Sequence, residues 1–241
     1  MITKDTEQGG VDRSHGKSTP EKAVFILGHL SILLLGVWLS QLGGFSFICE
    51  AMGISSQLSD PTRADILLAC MFLYWARHTF TVTYLLTRRL AWSEVLGLLF
   101  FFAFFELGLL LVGGGAFREA PTALGKLDVF ALCLLLTGSL LNSLSELQRK
   151  RWKSNPENKG HCYTKGLFQY SMHINYFGDT LLFLGWCLLA ANLWTLILPA
   201  FMAASFVFYH IPALDSYLEK RYGEEFRVYS QKTKKFVPFL Y

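Results

Sequence analysis

Charge is what this sequence is short of. Of its 241 residues, 17% are Asp, Glu, Lys or Arg, where a soluble domain carries about 25%. With 52% hydrophobic residues and 21 phenylalanines, that shortfall excludes an ordinary soluble domain. Metal-site spacing is missing as well. Cys49, Cys70, Cys133, Cys162 and Cys187 form no CxxC pair and no Cys/His set, so they read as small apolar residues and no metal is expected. There is no GxGxxG, P-loop, HExxH or GxSxG. Gly113, Gly114 and Gly115 fall in an expected loop, without a strand before them or a helix after. The opening MITKDTEQGGVDRSHGKSTP has no apolar h-region, so it reads as a disordered tail and not as a signal peptide.

What is present are long apolar runs. In hydrocarbon only helices and closed barrels satisfy their own backbone, and these runs are too long and continuous for barrel strands. The expected fold class is an all-α polytopic membrane protein with about six transmembrane helices and a C-terminal amphipathic helix. The spans run from about Ala23 to Leu42, Ala64 to Leu86, Trp92 to Val112 and Leu127 to Leu147. Two shorter ones, about Tyr176 to Ala191 and Leu193 to Tyr209, form a tight hairpin. The first four approach the roughly 20 residues that a bilayer requires.

Arg88 and Arg89, the run Arg149–Lys150–Arg151–Lys153, and Lys220, Arg221, Arg227, Lys232, Lys234 and Lys235 fall on alternate connections and the tail. The excess of basic residues places that side in the cytoplasm, with both termini. The membrane would be the endoplasmic reticulum in a eukaryote or the inner membrane in a bacterium. After Pro212, Tyr217, Leu218, Tyr222, Phe226 and Tyr229 recur at roughly helical spacing, which suits an amphipathic helix closed by an apolar FVPFLY anchor. The chain is expected to divide into a tail over 1–21, membrane helices over 22–126 and a C-terminal part over 127–241, to which the resemblance described below assigns the substrate lining and the cofactor respectively.

The cytoplasmic cluster carries the strongest chemical signal. Asn142 and Glu146 are four apart, so are Arg149 and Lys153, and so are Asn175 and Asp179; each pair shares a helix face. A helix N-terminus beside several cations suits a polyanion, and the amide and carboxylate groups suit ribose hydroxyls or a carboxamide. The same residues also fit topology signals plus helix capping. His210, just before Pro212, either contacts the cofactor or caps its helix. Inside the membrane, YWARHTF and FFAFFELGLL place Arg77, His78 and Glu106 in mid-span, where a charge costs about 2.5–3.5 kcal/mol. Measured from the shared turn, Arg77 lies roughly 16 Å deep and Glu106 roughly 21 Å. The spacing predicts an Arg77–Glu106 pair with His78 or Tyr74 beside it: a structural ion pair, or a polar wall of the substrate cavity. His29 in the first span reads as a satisfied or interfacial histidine.

QRKRWKSNPENKG followed by GLFQYSMHINYFGD resembles the C-terminal domain of the steroid 5-alpha-reductase family, which is itself similar to the sterol reductases. The resemblance rests on Gln148, Arg149, Trp152, Lys153 and Pro156, then Asn175, Tyr176, Gly178 and Asp179, and covers Asn142 to Tyr241. It implies an NADPH-dependent reductase of an activated carbon–carbon double bond in a steroid, sterol or acyl lipid. The cofactor would meet Arg149, Lys153, Asn175 and Tyr176, with Asp215, Arg221 and Tyr229 from the tail. Such a reaction needs an acid, and Tyr74, Tyr84 and Glu106 are candidates, with Arg77 and His78 beside them. The same superfamily holds membrane methyltransferases that use S-adenosylmethionine on lipids or prenylated cysteine. Their motif carries Arg-His-Pro where this chain has Met172-His173-Ile174. Methyl transfer is therefore the alternative enzyme, and a non-catalytic lipid-binding protein the second alternative. The expected partners are the bilayer and a lipophilic small molecule, without nucleic acid and without an obligate protein partner.

Overall fold

A computed structural model describes residues 16–241 and the backbone of residues 7–8 and 11–12. Those short pieces pair antiparallel as β1 (Glu7–Gln8) and β2 (Val11–Asp12). The rest of the 1–21 tail, up to residue 15, lies outside the described residues. Thr19 to Glu21 already belong to α1 (Thr19–Gln41), started by Pro20 in its first turn, where the missing N–H costs nothing. Next come α2 (Gly44–Ala51), α3 (Pro61–Phe80, with a π-turn over Thr81–Leu85) and α4 (Trp92–Gly113). After them follow α5 (Lys126–Lys153), α6 (Ile174–Leu189), α7 (Ile197–Ser205), α8 (Ile211–Tyr222) and α9 (Glu224–Lys232).

The chain is a multi-pass integral membrane protein. Among the described residues, five helical stretches are long and apolar enough to cross a membrane: Thr19–Gln41, Pro61–Leu85, Trp92–Gly113, Lys126–Lys153 and Leu193–Tyr222. The expected fifth span is present as α6, but its 16 residues fall short of a full crossing. The sixth span does not stop at Pro212. A π-turn over Phe206–His210 joins α7 to α8 without a break. Proline lacks an N–H and its ring crowds the carbonyl four residues back; a turn widened by one residue removes that conflict. The expected amphipathic helix is instead two pieces, α8 and α9, divided at Gly223, whose φ of 55° suits glycine.

The described chain forms two compact units, 16–132 with Gly185–Leu196, and Cys133–Leu184 with Ile197–Tyr241. In the first, α1, α3 and α4 pack together around Phe25, Leu67, Met71, Phe102, Phe105 and Leu110. An ionic hub closes one end. Arg63, 1% exposed, donates to Asp128 and to the carbonyls of Leu189 (2.7 Å) and Thr122 (3.2 Å). Its Nε lies 3.4 Å from Asp60 Oδ2, an ion contact without hydrogen-bond alignment. Asp60 caps α3 by accepting from Arg63 N and ties down Thr122 N.

In the second unit, α5 and α6 touch backbone to backbone. A Cβ at Gly138 would stand 2.4 Å from Gly178 O and from Leu182 N. Gly138→Ala should force these helices apart and lower stability by about 1–3 kcal/mol, read as a fall in the thermal midpoint of detergent-purified protein. An unchanged midpoint would show that the crossing tolerates a methyl group.

Candidate active site

The close crossing sets the register of the polar residues that follow it on α5. Gly138, Asn142, Glu146, Arg149 and Lys153 recur three or four apart and form one stripe. Facing it, α6 carries Asn175, Gly178 and Asp179. Asn142 Nδ2 donates to Asp179 Oδ2 (3.0 Å) and to Asn175 O (3.2 Å). Asn175 Nδ2 donates to Glu146 Oε1 (3.2 Å), and Arg149 bonds the other oxygen of Glu146. Five of the expected cofactor residues thus form one hydrogen-bonded chain.

Next to it, Arg149, Lys153 and Asn175 line a cleft with Cys162, Tyr163, Phe168, Met172, His173, Leu214, Leu218, Tyr222 and Tyr229. The Arg149 guanidinium lies 5.6 Å from the Phe168 ring. Lys153 Nζ donates to Tyr222 Oη (2.8 Å), joining α5 to α8. Gln148 Oε1 accepts from Leu167 N (2.9 Å) and holds the short turn that presents Phe168. Tyr229 Oη donates to Phe168 O (2.6 Å). Burial raises the Tyr229 and Tyr163 phenols and pushes the Cys162 thiol up to about 11. None of the three is ionised at neutral pH, so Arg149 and Lys153 supply the charge at this end of the cleft.

His173 closes the other end. It is 1% exposed, and its Nε2 meets Asp215 Oδ1 at 2.8 Å. A carboxylate only accepts, so Nε2 carries a proton, and in the neutral ring Nδ1 is the acceptor. Lys235 Nζ lies 3.9 Å from the second Asp215 oxygen. The His173 ring runs parallel to Tyr176 (centroids 5.6 Å apart), and Tyr176 stacks on Phe206 (4.6 Å). Tyr176 therefore positions His173 and does not line the cleft. His210, half-buried against Tyr176, Phe206 and Tyr209, does not line it either. Arg221 bonds Tyr217 Oη (2.7 Å) and reaches the cleft only through the Tyr222 ring, 5.6 Å away. Tyr163, Phe168 and Tyr222 also line the cleft without having been expected there, and His173 does so with a partner, Asp215, that was not foreseen. The aromatic residues around the motif, and the histidine inside it, were the available signals.

The membrane cluster of the first unit differs from expectation. Glu106 pairs with His29, not with Arg77: His29 Nε2 meets Glu106 Oε1 at 2.7 Å, and both side chains are fully buried. His29 comes from α1, which packs on both α3 and α4 and so lies within reach of the carboxylate. Tyr74 and His78 are in edge contact (4.2 Å), and the Arg77 guanidinium lies 5.0 Å from the Tyr74 ring. Glu106 Oε2, His29 Nδ1 and His78 Nδ1 are buried without hydrogen-bond partners among the described residues. Tyr84, the third candidate acid, is half exposed near the end of α3.

A family model described as a protein of unknown function, DUF1295, matches residues 41–233, most of the chain. The chain belongs to the DUF1295 family. This family is related to the superfamily of steroid 5-alpha-reductases and S-adenosylmethionine-dependent methyltransferases. Over 89 residues this DUF1295 protein is 34% identical to a probable O-methyltransferase, ustE, of Ustilaginoidea virens. The match covers 36% of the chain and 31% of the relative, so it spans less than a third of that protein's length. This relative overturns the expectation of NADPH and of an oxidoreductase. O-methyl transfer moves a methyl group to oxygen and uses no hydride donor.

Proposed function

We propose that this DUF1295 protein is a membrane-embedded methyltransferase that uses S-adenosylmethionine to methylate an oxygen of a lipophilic acceptor. The likeness to a probable O-methyltransferase carries this reading, and the chemistry of the cleft supports it. When bound, the donor supplies an electrophilic methyl group on a sulfonium, leaving as the neutral thioether. Lys153 and Arg149 suit its carboxylate. The Asn175–Glu146 pair suits ribose hydroxyls, and the rings of Tyr163, Phe168 and Tyr222 suit an adenine and a sulfonium. His173, held through Nε2 by Asp215, offers Nδ1 to the acceptor's hydroxyl proton. Asp179 and Asn142 fix Asn175, while Asp215 and Tyr176 fix His173.

The space between these groups measures about 50 Å³, below the roughly 300 Å³ at which small-molecule pockets begin. Admission of the donor therefore separates α8 from α5 and breaks the Lys153–Tyr222 bond. Calorimetric titration of the detergent-purified protein should show S-adenosylmethionine binding. Lys153→Ala should weaken it about tenfold, the value of one charge-assisted hydrogen bond. Absence of binding by the wild-type protein would refute the donor assignment; equal binding by both proteins would refute the role of Lys153.

A further inference from the structure

We propose that the C-terminal segment and the groove beside it form a binding site for an anionic phospholipid of the membrane that the chain spans. Past α9 the chain runs against the turn before α6. Lys234 O accepts from Met172 N (2.8 Å) and Lys235 O from His173 N (3.0 Å). Ser171 Oγ donates to Phe236 O (2.8 Å) and to Lys235 O (3.2 Å). Phe236 is buried edge-on against Phe177.

Beyond this anchor the chain curls back on itself. Phe236 N donates to Tyr241 O (2.6 Å), and Leu240 N and Tyr241 N both donate to Val237 O (3.1 Å). Closing the loop puts Phe239 at a φ of 68°, the left-handed region that a β-carbon disfavours. The strained conformation does not serve the core. It holds Phe239 75% and Leu240 77% exposed, with the half-exposed ring of Tyr170 set 5.7 Å from that of Phe239.

Beside these apolar tips lies an open groove of about 350 Å³. Lys232, Lys234, Lys235, Leu240 and Tyr241 line it, and no carboxylate side chain does. Lys235 has Asp215 at 3.9 Å behind it, and Lys232 and Lys234 are exposed. A free anion would account for the lysines and not for the presented Phe239 and Leu240. A phosphate on a glycerol carrying acyl chains accounts for both, because cationic and apolar groups stand side by side as they do at a bilayer interface. The site does not depend on the methyl-transfer reading.

The test uses the full chain in nanodiscs of phosphatidylglycerol with phosphatidylcholine, or of phosphatidylcholine alone, with amide hydrogen exchange read over residues 236–241. Exchange should be slowed in the phosphatidylglycerol discs only. In native mass spectrometry, Lys232→Ala with Lys234→Ala should weaken phosphatidylglycerol binding roughly 30-fold, from two lysine contacts at the surface. Phe239→Ser with Leu240→Ser should abolish the slowed exchange while thermal stability stays at the wild-type value. Equal exchange in the two disc types would overturn the proposal. So would equal slowing by inorganic phosphate on detergent-purified protein, slowing that grows with protein concentration, or undiminished lipid binding by the lysine double variant.

Discussion

His173→Ala should lower methyl transfer by about 10²–10⁴-fold, the usual contribution of a positioned base. The assay is incorporation of labelled methyl from S-adenosylmethionine into lipid extracted from the host membrane. A base acts on the acceptor's proton, so donor affinity should stay within a few-fold of wild type while the rate falls. Asp215→Asn should fall between the two. An amide oxygen still accepts from Nε2–H, but it no longer stabilises the imidazolium formed when Nδ1 takes the proton. A purely packing role for His173 gives the opposite pattern, with donor affinity lost together with stability. Unchanged turnover in His173→Ala would remove it from the chemistry.

The largest effect on stability is expected at Arg63. Alanine there removes one cation from the buried hub, leaving Asp128 Oδ1 and the carbonyls of Leu189 and Thr122 without their donor, while Asp128 Oδ2 keeps Gly125 N. Breaking a buried pair from one side costs about 3–5 kcal/mol. Arg63→Ala should therefore leave little monodisperse protein after detergent extraction. Adding Asp128→Asn removes one stranded charge and should recover part of the yield, whereas Asp128→Asn alone should cost less than Arg63→Ala. Full extraction of Arg63→Ala would mean that water replaces the guanidinium at no penalty.

The parts of the site that could be read in the sequence were those carried by one helix. Asn142, Glu146, Arg149 and Lys153 follow the helical period, and a single α5 presents them all. Asn175 and Asp179 do the same on α6. Partners drawn from distant elements could not be read in this way. Depth along α3 and α4 matched Arg77 to Glu106, but depth says nothing about a third helix, and His29 of α1 took the carboxylate. Arg63 lies one residue before the expected second span, and its four partners come from sequence positions as far away as Leu189. His173 stood in plain view within the motif, yet its meaning depends on Asp215, 42 residues further on. The cofactor could not be read from these residues at all. Cations, amides and rings serve a dinucleotide and a sulfonium nucleoside alike, and the proposed donor rests on a relative.

The π-turn at Phe206–His210 makes the lower half of that long rod sensitive to counting. Deleting one residue there would leave its oiliness and length nearly untouched and still let it cross a membrane. It would also turn everything beyond by about 100°, one residue's share of a helical revolution. Leu214, Leu218 and Tyr222 would swing off the cleft together and Asp215 away from His173, so this stretch should tolerate changes of letter far better than a change of number.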